Sequence, residues 1–174
     1  MTEAVSAKNA LAEAMRELLE TRSFSSVSVS ELCRICGINR KSFYYYFKDK
    51  YDLVCRIFED ECIRLRRAAP GDELQFLYAL CRYLDDNRRF YAKVLRIGGQ
   101  NSFRTYFGDA VARRIRFYYR ETVADAEDLT FLSHFLAGAL LSSFFEWITD
   151  PNPVSPRVFM EQLHRCVTIL RVAT

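Results

Sequence analysis

The sequence predicts an all-α protein, with a small N-terminal helical domain followed by a larger helical domain. Only 6 Gly and 4 Pro occur in 174 residues, too few for the many tight turns of a β-sandwich or barrel. Half of the residues are hydrophobic, which is enough for a folded core and excludes a chain that is disordered throughout. Apolar residues recur at the three- and four-residue spacing of helices over most of the length.

The composition limits the classes of partner and cofactor. With 25 Lys and Arg against 22 Asp and Glu, the net charge of +3 does not by itself indicate a nucleic acid or a membrane. The first ten residues contain no apolar run, so we expect no secretory signal and a cytoplasmic protein with reduced cysteines. Cys33 and Cys36 form one close pair, but the chain has only two histidines. We therefore expect no metal site and no cofactor.

The first two helices are predicted from apolar spacing and from a capping pattern. Residues 6–21 place alanine, leucine and methionine on one helical face. Ser28, with Glu31 three residues later, forms the pattern of a capping box and opens a short second helix. Gly37 is the natural end of that helix.

A third and a fourth helix follow almost without a break. Asn39 caps a helix over residues 40–47, and Asp49 caps a longer helix that extends to about residue 67. Two short helices joined by a tight turn and packed on a longer first helix are typical of the helix-turn-helix. In that arrangement the second short helix enters the DNA major groove.

The third helix carries a basic and aromatic face. Phe43 and Phe47 lie four residues apart and can be buried together. Another face combines cations and phenols without an aliphatic residue, and its members are Arg40, Lys41, Tyr44, Tyr45 and Lys48. Between residues 34 and 50 there are five basic residues and one acidic residue. A solvated face or half-buried tyrosines would be an alternative, but three consecutive tyrosines on a helix cannot all face one core.

The run from residue 27 to residue 53, VSVSELCRICGINRKSFYYYFKDKYDL, resembles the DNA-binding domain of the TetR family of bacterial repressors. The resemblance implies an all-helical homodimer with a helix-turn-helix domain at residues 1–49. It also implies a C-terminal domain at residues 50–174 that dimerises and binds a small effector. The expected partners are a palindromic double-stranded DNA operator and a small molecule of unknown identity.

The resemblance also assigns roles to residues of this chain. It implies that Arg40, Lys41 and Tyr45 read bases, with Ser42 nearby. It implies phosphate contacts for Ser28, Ser30, Tyr44, Tyr46 and Lys50. The chemistry suits these roles, because a guanidinium can bond a guanine edge and a phenol can reach a phosphate oxygen or a thymine methyl group.

The C-terminal half contains five further predicted helices, at residues 72–86, 88–97, 102–122, 127–149 and 156–172. The last two are apolar around more than one face, which predicts a symmetric dimer, although they could instead be central in a monomer. Acidic residues flank the fourth of these helices, so we expect a buried helix and not a membrane span. The predicted interface residues are Leu136, Leu140, Phe144, Trp147, Phe159, Leu163, Val167 and Leu170.

An effector cavity is predicted among the middle helices, where aromatic residues with a few polar groups could surround a ligand. The candidates are Phe76, Tyr83, Phe90, Tyr91, Phe103, Tyr106, Phe107 and His134. Taken singly, such residues are more often ordinary core residues than ligand contacts. The stretch from Asp86 to Tyr91, with Ser102 and Phe103, resembles the short C-terminal domain of TetR-like regulators from Firmicutes.

Three other functions are alternatives to DNA-binding regulation by an effector. An enzyme is not expected, because the sequence lacks a phosphate-binding glycine loop, a paired-carboxylate site and a nucleophile motif. A redox-responsive regulator could use Cys33 and Cys36, although a disulfide within one regular helix would be strained. A protein that kept this fold but lost DNA binding is the third alternative.

Overall fold

The computed structural model describes residues 2–97 and 102–172, and these ranges are helical with no strand. Their elements, with a short 3₁₀ helix at Phe24–Ser26, are α1 (Thr2–Thr21), α2 (Val29–Ile35), α3 (Arg40–Tyr46), α4 (Lys50–Ala68), α5 (Glu73–Asp86), α6 (Arg88–Leu95), α7 (Phe103–Tyr119), α8 (Ala126–Thr149) and α9 (Pro156–Val172). The predicted all-α fold class is confirmed. We call α1 to α3 the head and α4 to α9 the body.

The predicted helix starts are confirmed by side-chain caps. Ser28, Asn39 and Asp72 each accept a hydrogen bond from the backbone amide three residues later. Asp49 accepts hydrogen bonds from the backbone amides of Tyr51 and Asp52, at the start of α4. The first amides of a helix have no partner within the helix, so each cap satisfies a group that would otherwise depend on water.

Gly37 makes the tight turn between α2 and α3. Its φ of +66° lies in the left-handed region, which glycine adopts without steric cost. The amide of Ile38 donates to the carbonyl oxygen of Cys33 at 3.0 Å and closes the end of α2. This turn sets the angle at which α3 leaves α2.

The core of the head holds α3 on its two neighbours. Leu11, Met15 and Leu19 of α1 are fully buried and face Leu32 of α2 and Phe43 of α3 in one cluster. Burial of side chains of this size contributes roughly 1.5–3 kcal/mol each. The first turns of α4 extend the same cluster, so the head packs directly on the body.

The body has an aromatic core. Phe58 of α4 meets Phe103 and Phe107 of α7, with ring centroids 5.3 Å apart in both pairs. Tyr91 of α6 lies 5.4 Å from the ring of Phe103. Edge-to-face and tilted ring pairs at these distances fill space efficiently and stabilise the contact between helices.

Helix α8 is only partly buried, whereas the sequence predicted a buried helix. One face packs on α7 through Leu129, Ser133 and Ala137. The opposite face exposes Phe131 and Phe135, which are 73% and 61% exposed. By length and composition alone α8 could cross a membrane. An 18-residue window of this helix has a mean hydropathy of 1.3, and 28% of the window is buried inside the protein. An exposed apolar face of this kind is also expected where a helix contacts another chain.

Candidate nucleic-acid interface and effector region

Helix α3 is anchored by two phenylalanines and presents tyrosines outward. Phe43 and Phe47 are buried, with their ring centroids 5.6 Å apart. Tyr44 and Tyr45 point away from the core and are 49% and 82% exposed. Water-exposed phenol rings on a well-anchored helix are available for contact with a second macromolecule.

Arg40 is held in place by its neighbour on the same face. Its Nη2 atom donates to the hydroxyl oxygen of Tyr44 at 3.3 Å, and its guanidinium carbon lies 5.8 Å from the Tyr44 ring centroid. This hydrogen bond raises the pKa of Arg40 above its ordinary value. The exposed guanidinium therefore stays charged and is oriented on the surface of α3.

The remaining cations around α3 are free of carboxylates. Arg34, Lys41 and Lys48 are exposed, and no ion pair joins them to an acid among the residues the structure describes. Asp49 is turned inward as the cap of α4. The outer surface of α3 therefore carries unneutralised positive charge, which is the main requirement for binding a phosphate backbone.

The serines and Tyr46 occupy more constrained positions than the exposed residues of α3. Ser42 is half-buried and its hydroxyl donates to the cap oxygen of Asn39 at 3.1 Å. Ser28 and Ser30 are exposed at the start of α2, where Ser28 is the cap. Tyr46 lies half-buried between Tyr45 and the ammonium of Lys8, which is 5.4 Å from its ring centroid. Sequence spacing did not predict this contact of Lys8.

Lys50 is placed differently from the predicted phosphate contact. Its Nζ atom donates to the carbonyl oxygens of Phe24 at 2.8 Å, Ser25 at 3.3 Å and Val27 at 2.7 Å. Burial lowers the pKa of this amine. The ammonium thus has three protein acceptors and joins α4 to the α1–α2 connection, so its hydrogen-bonding capacity is already used.

Glu31 also departs from the predicted pattern. Its backbone amide is capped by Ser28, but its carboxylate does not complete a capping box. Instead, Oε1 accepts from Nη1 of Arg22 at 2.6 Å. Arg22 additionally donates to the carbonyl oxygen of Ser26 at 2.8 Å. The connection between α1 and α2 is consequently fixed by side chains that the capping motif did not indicate.

Cys33 and Cys36 are poor candidates for a redox sensor. Both are free thiols, and burial raises the pKa of each above its ordinary value. Because the thiolate is the reactive form, both groups are less reactive than an ordinary cysteine at neutral pH. The redox alternative has no support from the structure.

The aromatic residues predicted to line an effector cavity are mostly core. Phe76, Phe90, Tyr91, Phe103 and Phe107 are buried, and the last three belong to the ring cluster of the body. Their contacts fill the volume that a cavity would need. The predicted cavity therefore stays a prediction, and a ligand among these rings would have to displace them.

Two half-buried tyrosines of the predicted set make hydrogen bonds between helices. The hydroxyl of Tyr106 donates to Oε1 of Glu59 at 2.6 Å and joins α7 to α4. The hydroxyl of Tyr83 accepts from Tyr91 at 2.9 Å and from Arg16 of α1, also at 2.9 Å. These phenols support the packing of the helices in this arrangement.

His134 lies apart from the other predicted cavity residues. It is exposed and borders an open groove of about 290 Å³ between α7 and α8. The groove is also lined by Arg104, Thr105, Gly108, Asp109, Ala137, Gly138 and Leu141. The structure thus separates His134 from the other residues of the predicted cavity.

Three predicted interface residues are buried inside the chain itself. Trp147 stacks on Phe159 with ring centroids 4.4 Å apart, and Phe144 lies 5.0 Å from Phe159. These rings bind α9 to α8 and are not available to a partner in this arrangement. Leu136, Leu140 and Leu163 are half-buried, whereas the side chains of Val167 and Leu170 lie outside the described residues. The more exposed Phe131 is not among the predicted interface residues.

Comparison with known families identifies the two parts of the chain. The profile "Bacterial regulatory proteins, tetR family" matches residues 11–57, and the profile "Transcriptional regulator C-terminal region" matches residues 72–168, which is more than half of the chain. The chain belongs to the TetR family of transcriptional regulators. The members of this family that it matches are DNA-binding regulators and not enzymes.

One curated relative in the TetR family is the HTH-type dhaKLM operon transcriptional activator DhaS of Lactococcus lactis subsp. lactis (strain IL1403). The alignment is 29% identical over 103 residues, and it covers 56% of this chain and 53% of DhaS. The matched part thus spans about half the length of that relative. This partial match supports the family and leaves the activity of this chain to be proposed.

Solved TetR-family structures share the fold over nearly the whole length. The dihydroxyacetone kinase operon activator DhaS gives a TM-score of 0.68 at 22% identity, covering 95% of this chain and 96% of its own. A TetR regulator from Streptococcus agalactiae 2603V gives 0.67 at 18%, with coverages of 92% and 93%. NalD, the secondary repressor of the MexAB-OprM multidrug efflux pump in Pseudomonas aeruginosa, gives a TM-score of 0.58 at 19% identity, and the match covers 94% of each chain. These likenesses confirm the predicted helical fold with its N-terminal helix-turn-helix.

Proposed function

We propose that this TetR-family regulator binds a palindromic DNA operator as a homodimer and represses transcription until a small effector occupies the body. Residues 1–49 form the DNA-binding domain in this proposal, and residues 50–174 form the effector-binding and dimerisation domain. Such a protein acts at the chromosome, in the cytoplasm. The family membership supports this function, because TetR-family regulators bind operators and usually do so as dimers.

The outer face of α3 is the observation that carries the proposal. Tyr45 is 82% exposed, and Arg40 is oriented by Tyr44 beside it. The burial of Phe43 and Phe47 fixes which face of α3 meets the core, and the exposed groups lie on the other face. A fixed helix with an exposed guanidinium, ammonium groups and phenols matches what a major groove and its phosphates require.

Within this interface the residues divide between bases and phosphates. Arg40 can donate two hydrogen bonds to the edge of a guanine, and Tyr45 can contact a thymine methyl group. Lys41 adds a second cation that can reach base edges. Tyr44, Tyr46, Ser28 and Ser30 can donate to phosphate oxygens, and the exposed Lys48 takes the electrostatic role that Lys50 does not have the free hydrogen-bonding capacity to fill.

The proposed dimer uses the exposed face of α8. Phe131 and Phe135 stack with an interplanar angle of 12° and form the most exposed aromatic pair of the body. The half-buried Leu136 and Leu140 lie toward the packed side of α8, each three residues after a buried position, and Leu163 packs on the core. The two rings are therefore the main apolar surface that α8 offers to a second copy. A two-fold axis at this surface would set two heads side by side, as a palindromic operator requires.

Repression that an effector relieves is the proposed mode of regulation. NalD, which shares the fold, is a repressor, whereas DhaS is an activator. An effector that binds one head spacing better than the other would shift the population toward that spacing and change operator affinity. A promoter fusion carrying the selected site tests the sign, since deletion of the regulator should raise expression. A fall in expression would identify an activator.

Selection of duplexes from a random pool on the purified protein tests the proposed function. We expect enrichment of a palindrome, with an affinity that falls steeply as the salt concentration rises. A variant with Tyr45 and Arg40 both replaced by alanine is the matched control, because both side chains are exposed and their loss should leave the fold unchanged. No enrichment with wild-type protein, or equal enrichment with the control, would contradict DNA recognition by α3.

A further inference from the structure

A lysine of the body holds the end of the first helix of the head. Lys93 lies on α6, and its Nζ atom donates to the carbonyl oxygens of Leu19, Glu20 at 3.1 Å and Arg22 at 3.0 Å. These carbonyls lie at the end of α1, where the last turn of a helix leaves acceptors unsatisfied and carries partial negative charge. Among the described residues, no other side chain donates to these three oxygens.

The carbonyls held by Lys93 are directly connected to the helix-turn-helix. The side chain of Arg22 pairs with Glu31 of α2 at 2.6 Å and also bonds the carbonyl oxygen of Ser26. On the other side of this connection, Lys50 bonds the carbonyls of Phe24 and Val27. These hydrogen bonds form a continuous series of contacts from Lys93 through the connection to α2.

The other end of α6 is connected to the C-terminal helices. Arg88 donates to the backbone carbonyl oxygen of Trp147 near the end of α8, and its guanidinium lies 4.9 Å from the Trp147 ring centroid. Arg88 also pairs with Asp85 at 2.7 Å. Helix α6 is only eight residues long. It thus joins α8 at its first residue to the head at its sixth.

We propose that Lys93 is a positioning residue that transmits the position of α6 to the DNA-binding head. A change in α8 moves Arg88 and with it α6, and Lys93 then shifts the end of α1 and the start of α2. Three ammonium protons on three carbonyls make this contact directional, which an apolar contact would not be. This inference rests on the proposed function, because the quantity that it controls is DNA affinity.

The inference can be tested without knowing the effector. Coupling between two sites is reciprocal, so duplex binding at the head must alter α6 if α6 alters duplex binding. Trp147 is the only tryptophan of the chain and lies against Arg88, which makes its emission a natural reporter of α6. The probe is the duplex selected above, with a shuffled duplex of equal length as the reference.

We expect the selected duplex to change Trp147 emission in the wild-type protein. We also expect it to alter hydrogen exchange of the α6 amides by at least about fivefold, the lower end of typical coupling factors. Lys93→Met, which has similar length and no donor, should still bind the duplex in anisotropy but show neither change. Lys93→Arg should restore both. Arg96→Met removes an exposed cation three residues further on and should behave as wild type.

The outcomes separate the inference from the proposed function. If the wild-type protein binds no duplex, the proposed function is overturned and the role of Lys93 with it. If it binds but neither emission nor exchange changes, or if Lys93→Met responds as wild type does, the transmission through Lys93 alone is overturned. If Lys93→Met fails to fold, Lys93→Gln is the second variant, because its shorter side chain keeps a single amide group as donor. It should show smaller changes of Trp147 emission and of α6 hydrogen exchange than wild type.

Discussion

Single residues of the head differ in whether they serve recognition or structure. Arg40 and Lys48 are exposed and directed outward, whereas Lys50 is drawn into the protein by three carbonyl oxygens. The three cations lie within eleven positions of one another, and the sequence counts all of them in one basic region. The structure separates them through hydrogen bonding, and substitutions should do the same.

Replacement of Arg40 by alanine should relax specificity at one base position. The guanidinium is oriented by Tyr44 and free of carboxylates, so its loss removes a base contact and leaves the fold intact. We expect the affinity for the preferred duplex to fall roughly 5- to 150-fold, with a smaller effect on duplexes changed at that position. Fluorescence anisotropy with single-base duplex variants measures this. A uniform loss across all duplexes would show that Arg40 contacts only the backbone.

Lys50→Met and Lys48→Met form a matched pair with opposite expected effects. Lys50→Met should lower the free energy of unfolding by about 1–2 kcal/mol, because it leaves three carbonyls without their charged donor. It should leave the salt dependence of DNA binding nearly unchanged. Lys48→Met should keep the stability and reduce the slope of log affinity against log salt by about one. Denaturant unfolding measures the stability of each variant, and salt titrations measure the salt slope of DNA binding. If Lys50→Met lowered the salt slope and Lys48→Met lowered the stability, Lys50 would be the phosphate contact.

At the scale of helices, local sequence signals were sufficient to predict where helices begin. They did not predict the contacts between residues far apart in the chain. Ser28, Asn39, Asp49 and Asp72 were predictable as caps because each acts on an amide two or three residues away. The contacts of Lys50 and Lys93 join residues 23 to 74 positions apart, and no periodic pattern encodes them.

The face of a helix is harder to predict than its existence when apolar residues surround it. Helix α8 was correctly placed, but the division between its buried and exposed faces was not predictable from spacing. Phe144 and Trp147 proved to be core, whereas Phe131 proved to be surface. Which side of such a helix meets α7 depends on the shape of its neighbours, and hydrophobicity alone does not determine it.

Glu73 joins three helices of the body and makes stability depend on pH. Its carboxylate pairs with Arg66 of α4 and with Arg114 of α7, the latter at 2.8 Å. Burial raises the pKa of Glu73, but the hydrogen bonds from the two guanidinium groups lower it more, so that it ends below its ordinary value. A carboxyl group with a lowered pKa in the folded state stabilises the protein above its unfolded-state pKa and loses that contribution as the pH falls.

Glu73→Gln should therefore destabilise the protein by about 0.5–1 kcal/mol at pH 7, since the partners are partly exposed and solvent weakens the pairs. The difference from wild type should shrink as the pH falls from the unfolded-state pKa, about 4.3, through the lower folded-state pKa of Glu73, below which the carboxyl group is protonated in both states. Unfolding curves at several pH values measure it. Glu61→Gln is the control, because within the described part of the chain Glu61 forms an ion pair with Arg64 of its own helix alone. A difference that persists at low pH would assign the effect to packing.

At the scale of the whole molecule, the proposed dimer determines whether two heads can act together. The aromatic pair Phe131 and Phe135 is exposed on α8, on the face opposite the packing with α7. Burying it against a second copy would remove both rings from water, which stabilises the association. One head alone contacts half of a palindrome, so dimerisation and operator affinity should be lost together.

Phe135→Glu should convert the protein to a folded monomer with weak operator binding. A carboxylate on this face would be desolvated in the dimer without a partner cation, whereas the monomer leaves it in water. Sedimentation should show the change in mass, and circular dichroism should show unchanged helicity. Leu74→Glu, at an exposed apolar position on α5, is the control and should stay dimeric. A Phe135→Glu protein that remains dimeric and binds the full palindrome as wild type would move the two-fold axis away from this face of α8.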